Sequence, residues 1–238
     1  MPSPPPILVL FDLDGTLLDT QDAGIRAYEA AGEELLGRPF SYRDIPVHGR
    51  LDSENFRLGL DRHAPHLDGD EYEPAFKERY VRELNRIGAE FGGFEPLPGI
   101  VNLVDELAGR SDVELGILTG NWQQPGEMKL ALGSLSPDRF EICAWAEDGA
   151  CRNDLVPVAS RRYIERHGVP PLLTLVIGDT PRDVECGLAH DAMTVGVATG
   201  VHSEADLISA GAHLVVRDFS DPLPLHEFLD HHSASPGG

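Results

Sequence analysis

Ile7-Leu8-Val9-Leu10-Phe11-Asp12-Leu13-Asp14-Gly15-Thr16-Leu17-Leu18-Asp19 is the stretch on which the fold turns. Five apolar residues in a row, with no polar alternation, read as a strand buried on both faces. The run passes directly into two carboxylates one residue apart and then a glycine turn. Residues i and i+2 of a strand point to the same side, and ligands of open parallel sheets sit at the carboxyl ends of the strands. Asp12 and Asp14 therefore converge on one crevice. Two carboxylates that close cannot both stay charged cheaply without a cation or a shared proton. A divalent metal would resolve the clash, and oxygen ligands with room for water suit Mg²⁺.

Outward from this strand, similar apolar runs recur at 115–118, 173–177, 194–197 and 214–216. Helix-like segments separate most of them: Ile100, Val104 and Leu107 share one face, and a second segment opening near Arg182 carries Val184 and Leu188. Strands alternating with amphipathic helices predict a parallel α/β sheet covered on both sides. Residues 20–95 break the alternation. Ile25, Tyr28, Ala31 and Leu35 keep a helical period that Gly37 can stop, and Phe76, Tyr80, Leu84 and Ile87 repeat it, with no convincing strand between. A helical insertion thus follows the first strand. Its far boundary is the turn-rich Gly92-Gly93-Phe94-Glu95-Pro96-Leu97-Pro98-Gly99. The expected division is 1–18 with 96–238 as one domain and 19–95 as the insertion.

Composition narrows the function classes. The 238 residues are 41% apolar and 25% charged, ordinary for a soluble globular protein. No apolar run approaches the roughly 20 residues a membrane helix needs. The N-terminus lacks a basic leader before its short apolar run, so no signal peptide is expected and the default location is cytoplasmic. The formal charge is −21, and the only lysines are Lys77 and Lys129. Such an acidic surface makes nucleic acid and anionic membranes poor partners. A small anionic substrate remains compatible if a metal and a basic side chain invert the local field. Cys143, Cys151 and Cys186 show no metal-ligand spacing and are expected to be buried thiols in a reducing compartment. The final residues 231–238, with His231 and His232, are expected to be a disordered tail.

The Asp12-Leu13-Asp14-Gly15-Thr16 stretch resembles the first motif of the haloacid dehalogenase-like superfamily, and the likeness continues along nearly the whole chain. The resemblance implies a Rossmann-like parallel sheet core of about five strands with helices on both faces, plus an inserted all-α cap domain that closes over the crevice and selects substrates. The strand ending in Asp12 would be central, flanked by those ending in Thr119 and Asp179. It further implies that Asp12 attacks phosphorus and becomes a phosphoaspartate. Asp14 would protonate the leaving oxygen and then deprotonate the attacking water.

Leu118-Thr119-Gly120-Asn121 resembles the second motif, where the Thr119 hydroxyl and nearby N–H groups would hold phosphate oxygens and Gly120 would let the backbone approach. Taken alone, Thr-Gly-Asn is only a turn. Gly178-Asp179-Thr180-Pro181-Arg182-Asp183 resembles the fourth motif, with Asp179 as a metal ligand and Asp183 ligating or bracing. The alternative reading has Asp179 or Thr180 capping the helix before Pro181, and the two roles can coexist. The metal set implied is Asp12, Asp14, Asp179 and Asp183, around Mg²⁺.

The third motif departs from the family pattern, because no Lys-Pro stands between motifs two and four. Arg152 occupies the expected place, and a guanidinium can do the same electrostatic work. Lys129, shortly after motif two, is the rival cation and a candidate phosphate ligand with Thr119, Gly120 and Asn121. In the cap, His48 and Arg50 stand in a loop-like stretch that could face a substrate or simply solvent.

Together these readings predict an Mg²⁺-dependent phosphatase of a small phosphorylated metabolite, similar to phosphoglycolate phosphatase-like members and working as a monomer or homodimer. Asp14 argues against a dehalogenase. A phosphonatase would need a cap lysine, and Lys77 on its helix is a poor one. A phosphomutase of the β-phosphoglucomutase type and a catalytically idle module on the same fold are the alternatives.

Overall fold

The computed structural model describes residues 7–233. β1 (Ile7–Phe11) lies inside a six-stranded parallel sheet with β4 (Val113–Leu118), β5 (Ile142–Ala144), β6 (Thr174–Gly178), β7 (Met193–Val197) and β8 (Leu214–Val216), in the order β5-β4-β1-β6-β7-β8. Every residue of β1 is buried. Ile7, Val9 and Phe11 pack on one face with Ile100, Leu103, Val104 and Leu107 of α4 (Ile100–Ala108). Leu8 and Leu10 join the opposite core with Val156, Ala159 and Tyr163 of α6 (Leu155–His167). That two-faced burial is why the run lacks alternation.

The sixth strand is β5, which the sequence reading did not separate. It is three residues long, pairs only with β4 and forms one edge of the sheet. Leaving β1, the chain reaches β2 (Leu18–Asp19), which pairs antiparallel with β3 (Glu95–Pro96) in the register Leu18↔Pro96 and Asp19↔Glu95. This short ribbon carries both crossings between the sheet and the insertion.

Three helices fill the insertion: α1 (Ala23–Leu36), α2 (Asp52–His63) and α3 (Gly69–Phe91). Tyr28 of α1 stacks on Tyr80 of α3 at 4.5 Å between ring centroids, and Phe56 of α2 lies 4.6 Å from Phe76 of α3. α2 is the helix the sequence reading missed. Its sequence is strongly polar, and only Phe56 and Leu60 give it a buried apolar stripe. Gly59 sits in it because a Cβ there would come within 2.6 Å of the Tyr42 hydroxyl.

The remaining helices are α5 (Gln123–Leu132), α7 (Pro181–Leu188), α8 (Glu204–Ser209) and α9 (Leu223–Ser233). α9 corrects the expected tail, because His231 and His232 form its last turn. The His232 ring packs on Phe228 at 4.3 Å and meets the Phe228 carbonyl oxygen at 2.8 Å. Residues 234–238, and residues 1–6 of the leader reading, lie outside the described residues. Among the described residues no helix is long and apolar enough to cross a membrane.

Candidate active site

β1 lies between β4 and β6, and successive strands are laid down to either side of it. A crevice opens at such a reversal, outside the carboxyl ends of the strands. Asp12 follows β1, Thr119 follows β4 and Asp179 follows β6. All three are buried. They line one cavity of about 310 Å³ together with Asp14, Gly120, Asn121, Lys129 and Arg152.

Asp12, Asp179 and Asp183 each offer a carboxylate oxygen, and these oxygens lie within 4.8 Å of one another. Arg152, in a short 3₁₀ turn before α6, places Nη2 3.1 Å from Asp12 Oδ1 and pairs with Asp183 as well. Burial pushes the Asp12 carboxyl up to about 6, with Arg152 pulling it down and Asp183 adding repulsion. Burial and the charges of Asp183 and Asp12 raise Asp179 well above the carboxylate range. Ionised together, three carboxylates against one guanidinium would leave two negative charges unopposed, the complement of one divalent cation. The donors are hard oxygens in a cradle without spare room: a Cβ on Gly200 would sit 1.7 Å from Asp179 Oδ2. The Thr16 hydroxyl reaches Asp179 Oδ1 at 3.4 Å. The residues present therefore fit Mg²⁺.

Asp183 does a second job. Its Oδ2 accepts from the Thr180 N–H at 3.0 Å and from the Thr180 hydroxyl at 2.7 Å, closing the first turn of α7 behind Pro181. Capping and membership of the acidic group coexist in this one side chain.

The Asp14 carboxylate is not brought into that acidic group. Asp14 Oδ2 takes Lys129 Nζ at 2.6 Å and Asn121 Nδ2 at 2.9 Å, and Oδ1 takes the Thr20 hydroxyl at 2.8 Å. Burial would raise Asp14, but the Lys129 charge and these donors outweigh it and hold the carboxyl below its ordinary range. Lys129 also donates to Asn121 Oδ1 at 2.6 Å. The two rival cations of the sequence reading thus divide the work: Arg152 serves Asp12 and Lys129 serves Asp14. Both side chains are almost wholly buried, Arg152 at 5% and Lys129 at 3% exposed, so neither is a solvated surface charge.

Thr119 donates to Asp12 through its hydroxyl, whose oxygen accepts from Asn121 Nδ2 at 2.9 Å. Gly120 is needed for a close approach, but what approaches is the insertion: a Cβ there would lie 2.0 Å from the Arg50 carbonyl oxygen. His48 and Arg50 line the cavity from that loop. The Arg50 guanidinium donates to the Pro46 carbonyl at 2.8 Å, while Arg152 Nη1 donates to the Gly49 carbonyl at 3.3 Å.

The sequence reading missed Thr20, Asp52 and Trp122. Thr20 lies just beyond the first motif and carries no pattern of its own. Asp52 is one acid among 40 acidic residues, and only the fold reveals that it is buried.

Residues 8–191 match the haloacid dehalogenase-like hydrolase family, well over half of the chain, and the chain belongs to that family. Among curated proteins it is 29% identical over 219 residues to a tyrosine-protein kinase PtkA of Mycobacterium tuberculosis, spanning 90% of this chain and 69% of the relative. It is 25% identical over 223 residues to a phosphoglycolate phosphatase of Synechococcus elongatus, spanning 90% and 94%. Among solved structures, a hydrolase from Pseudomonas syringae superposes with a TM-score of 0.72 at 23% identity, covering 94% of this chain and 99% of that one. That last likeness is one of fold.

Proposed function

We propose that this protein is a Mg²⁺-dependent phosphatase of small phosphomonoesters, with residues 19–95 acting as a cap over a core made of 1–18 and 96–238. The observation that carries the reading is the pair of aspartates two residues apart, each paired with its own buried cation. One is set for attack and the other for proton transfer. The family and the phosphoglycolate phosphatase likeness support the same reading.

In the first half-reaction an Asp12 carboxylate oxygen bonds to phosphorus while the ester P–O bond breaks, and the leaving oxygen takes a proton from Asp14. In the second, Asp14 removes a proton from water, the water oxygen bonds to phosphorus, and the acyl phosphate bond to Asp12 breaks. Mg²⁺ held by Asp12, Asp179 and Asp183 would supply positive charge beside the phosphoryl oxygens. Arg152 neutralises Asp12, and Thr119 orients it. Lys129 and Asn121 aim Asp14 and keep it in the anionic form that deprotonates water. Lys129 must loosen its hold before Asp14 carries a proton to the leaving group.

The roof of the site favours a small ester over a protein side chain. Backbone of residues 49–52 meets Gly120 and Arg152 directly, and the cavity is about 310 Å³. The test is hydrolysis of p-nitrophenyl phosphate with Mg²⁺ and with EDTA, beside Asp12→Asn. Turnover should require the metal and fall by at least about a thousandfold in Asp12→Asn with the fold unchanged by circular dichroism. Undiminished turnover in Asp12→Asn would sink the mechanism.

A further inference from the structure

Asp52, the first residue of α2, is buried at the junction between insertion and sheet. Its backbone N–H donates to the Gly120 carbonyl at 2.7 Å, and its Oδ2 accepts from the Trp122 N–H at 2.8 Å. These two bonds bracket Asn121, the residue whose amide holds both Asp14 and Lys129. The other carboxylate oxygen, Oδ1, accepts from the Tyr28 hydroxyl of α1, so the side chain is tied to the insertion from behind.

Trp122 completes the join. It stands at the start of α5, yet its indole is buried among rings of the insertion, 5.9 Å from Tyr80 and 6.4 Å from Phe76. Lys77 Nζ lies 5.4 Å over the indole and pairs with Glu147, whose other oxygen accepts from the Gln123 N–H at 3.0 Å. The insertion therefore holds the Gly120 carbonyl and the Trp122 N–H on either side of Asn121, while Asn121's own carbonyl accepts from the Ala146 N–H at 2.9 Å and its N–H meets the Thr119 hydroxyl oxygen at 3.3 Å. An Asn at 52 would keep the backbone bond to Gly120. Its carbonyl can still accept from the Trp122 N–H while its amide donates to the Tyr28 hydroxyl oxygen, so Asn is the conservative variant and an Ala keeps the backbone bond alone.

We propose that Asp52 is a positioning residue: by gripping both sides of Asn121 it makes the placement of Asn121, and through it of the Lys129–Asp14 pair, depend on the insertion being seated on the sheet. The chemical step is then assembled only when the roof is on, and an open site keeps Asp14 unaimed. The proposal rests on the reading of Asp14 as the proton-transfer group.

Hydrogen exchange read by mass spectrometry, together with steady-state hydrolysis of p-nitrophenyl phosphate, tests it on the full chain. Asp52→Ala should speed exchange of the segment 119–122 by at least about tenfold under conditions where the protein stays folded. It should lower kcat by at least about tenfold while KM moves by less than about threefold, because the loss falls on the chemical step. Asp52→Ser, a polar change at the same helix start, should do the same if Asp52→Ala fails to fold. Phe56→Leu loosens the interior of the insertion without touching the grip, and should leave both the exchange at 119–122 and kcat near wild type.

Exchange at 119–122 within about twofold of wild type in the folded Asp52 variants overturns the proposal. So does faster exchange with unchanged kcat, or a Phe56→Leu variant that reproduces both effects. A wild type that does not hydrolyse the ester in Mg²⁺ defeats the phosphatase reading instead, and the exchange comparison alone then decides the grip.

Discussion

Lys129 sets the charge state of Asp14, and that control can be read in a pH profile. Burial pushes the Asp14 carboxyl up, and Lys129, Asn121 and Thr20 more than offset it. Lys129→Met removes the largest of the opposing effects and leaves the burial. The Asp14 pKa then rises, so the anion needed to deprotonate water is lost at higher pH. With p-nitrophenyl phosphate, whose leaving group needs no acid, the ascending limb of kcat should move up by at least about one pH unit. A limb that stays in place would show that Asp14 does not govern this step. A second residue-scale prediction concerns the carboxylate cradle. Gly200→Ala places a methyl where Asp179 Oδ2 now lies, so the carboxylate must turn away. Mg²⁺ binding followed by calorimetry should weaken by about tenfold or more, with the fold retained. Unaltered binding would remove Asp179 from the ligand set. How such residues read in the sequence follows from their covalent neighbourhood. Asp12, Thr119 and Asp179 are legible because each ends an apolar strand, and the parallel sheet forces those ends together. Gly200 and Thr20 reach the same crevice from segments without a local pattern, so only the folded chain reveals them.

At the scale of elements, the seating of α2 carries its own titration. Burial raises the Asp52 carboxyl to about 6, against the pull of Lys129, the Tyr28 hydroxyl and the Trp122 N–H, with Asp14 adding repulsion. A folded pKa above the unfolded value near 4 means that the folded state binds the extra proton. The contribution to stability is therefore full below the unfolded pKa and is lost as pH rises through 6. The stability difference between wild type and Asp52→Asn, from urea unfolding, should shift by about 1 kcal/mol in favour of wild type between pH 7.5 and 5.0. A difference flat with pH would mean that Asp52 titrates near its unfolded value. α2 also shows where sequence pattern runs out. α1 and α3 were legible because Tyr28, Ala31, Phe76, Tyr80 and Leu84 repeat at helical spacing and are all buried. α2 buries Asp52 and Asn55 alongside Phe56, Gly59 and Leu60, so its inner face is half polar and its apolar period is too thin to register. β5 escaped for a related reason, since a three-residue edge strand is too short to establish a period.

Across the whole molecule, the large negative charge bears on stability. The chain holds 40 acidic and 19 basic side chains, a formal charge of −21. Two of the cations, Arg152 and Lys129, are buried in the site, which leaves fewer still to balance the surface. Salt acts on such a surface in two opposite ways. It screens attractive pairs such as Arg82–Glu34 and Arg86–Glu90, and it screens repulsion among the excess carboxylates. Exposed pairs are worth roughly 0–1 kcal/mol each, and the side chains of these two are about half exposed. The excess of acids over bases means that most unlike pairings are already used, while like pairings multiply, so relief of repulsion wins. Raising KCl from 0.05 to 1 M, with EDTA present to keep divalent ions out of the crevice, should therefore increase the unfolding free energy by about 1–2 kcal/mol. Chloride is chosen over sulfate so that exclusion of the salt from the protein surface does not mimic the effect. A fall in stability over the same range would mean that the surface pairs outweigh the net charge, and the acidic surface would then carry no stability cost.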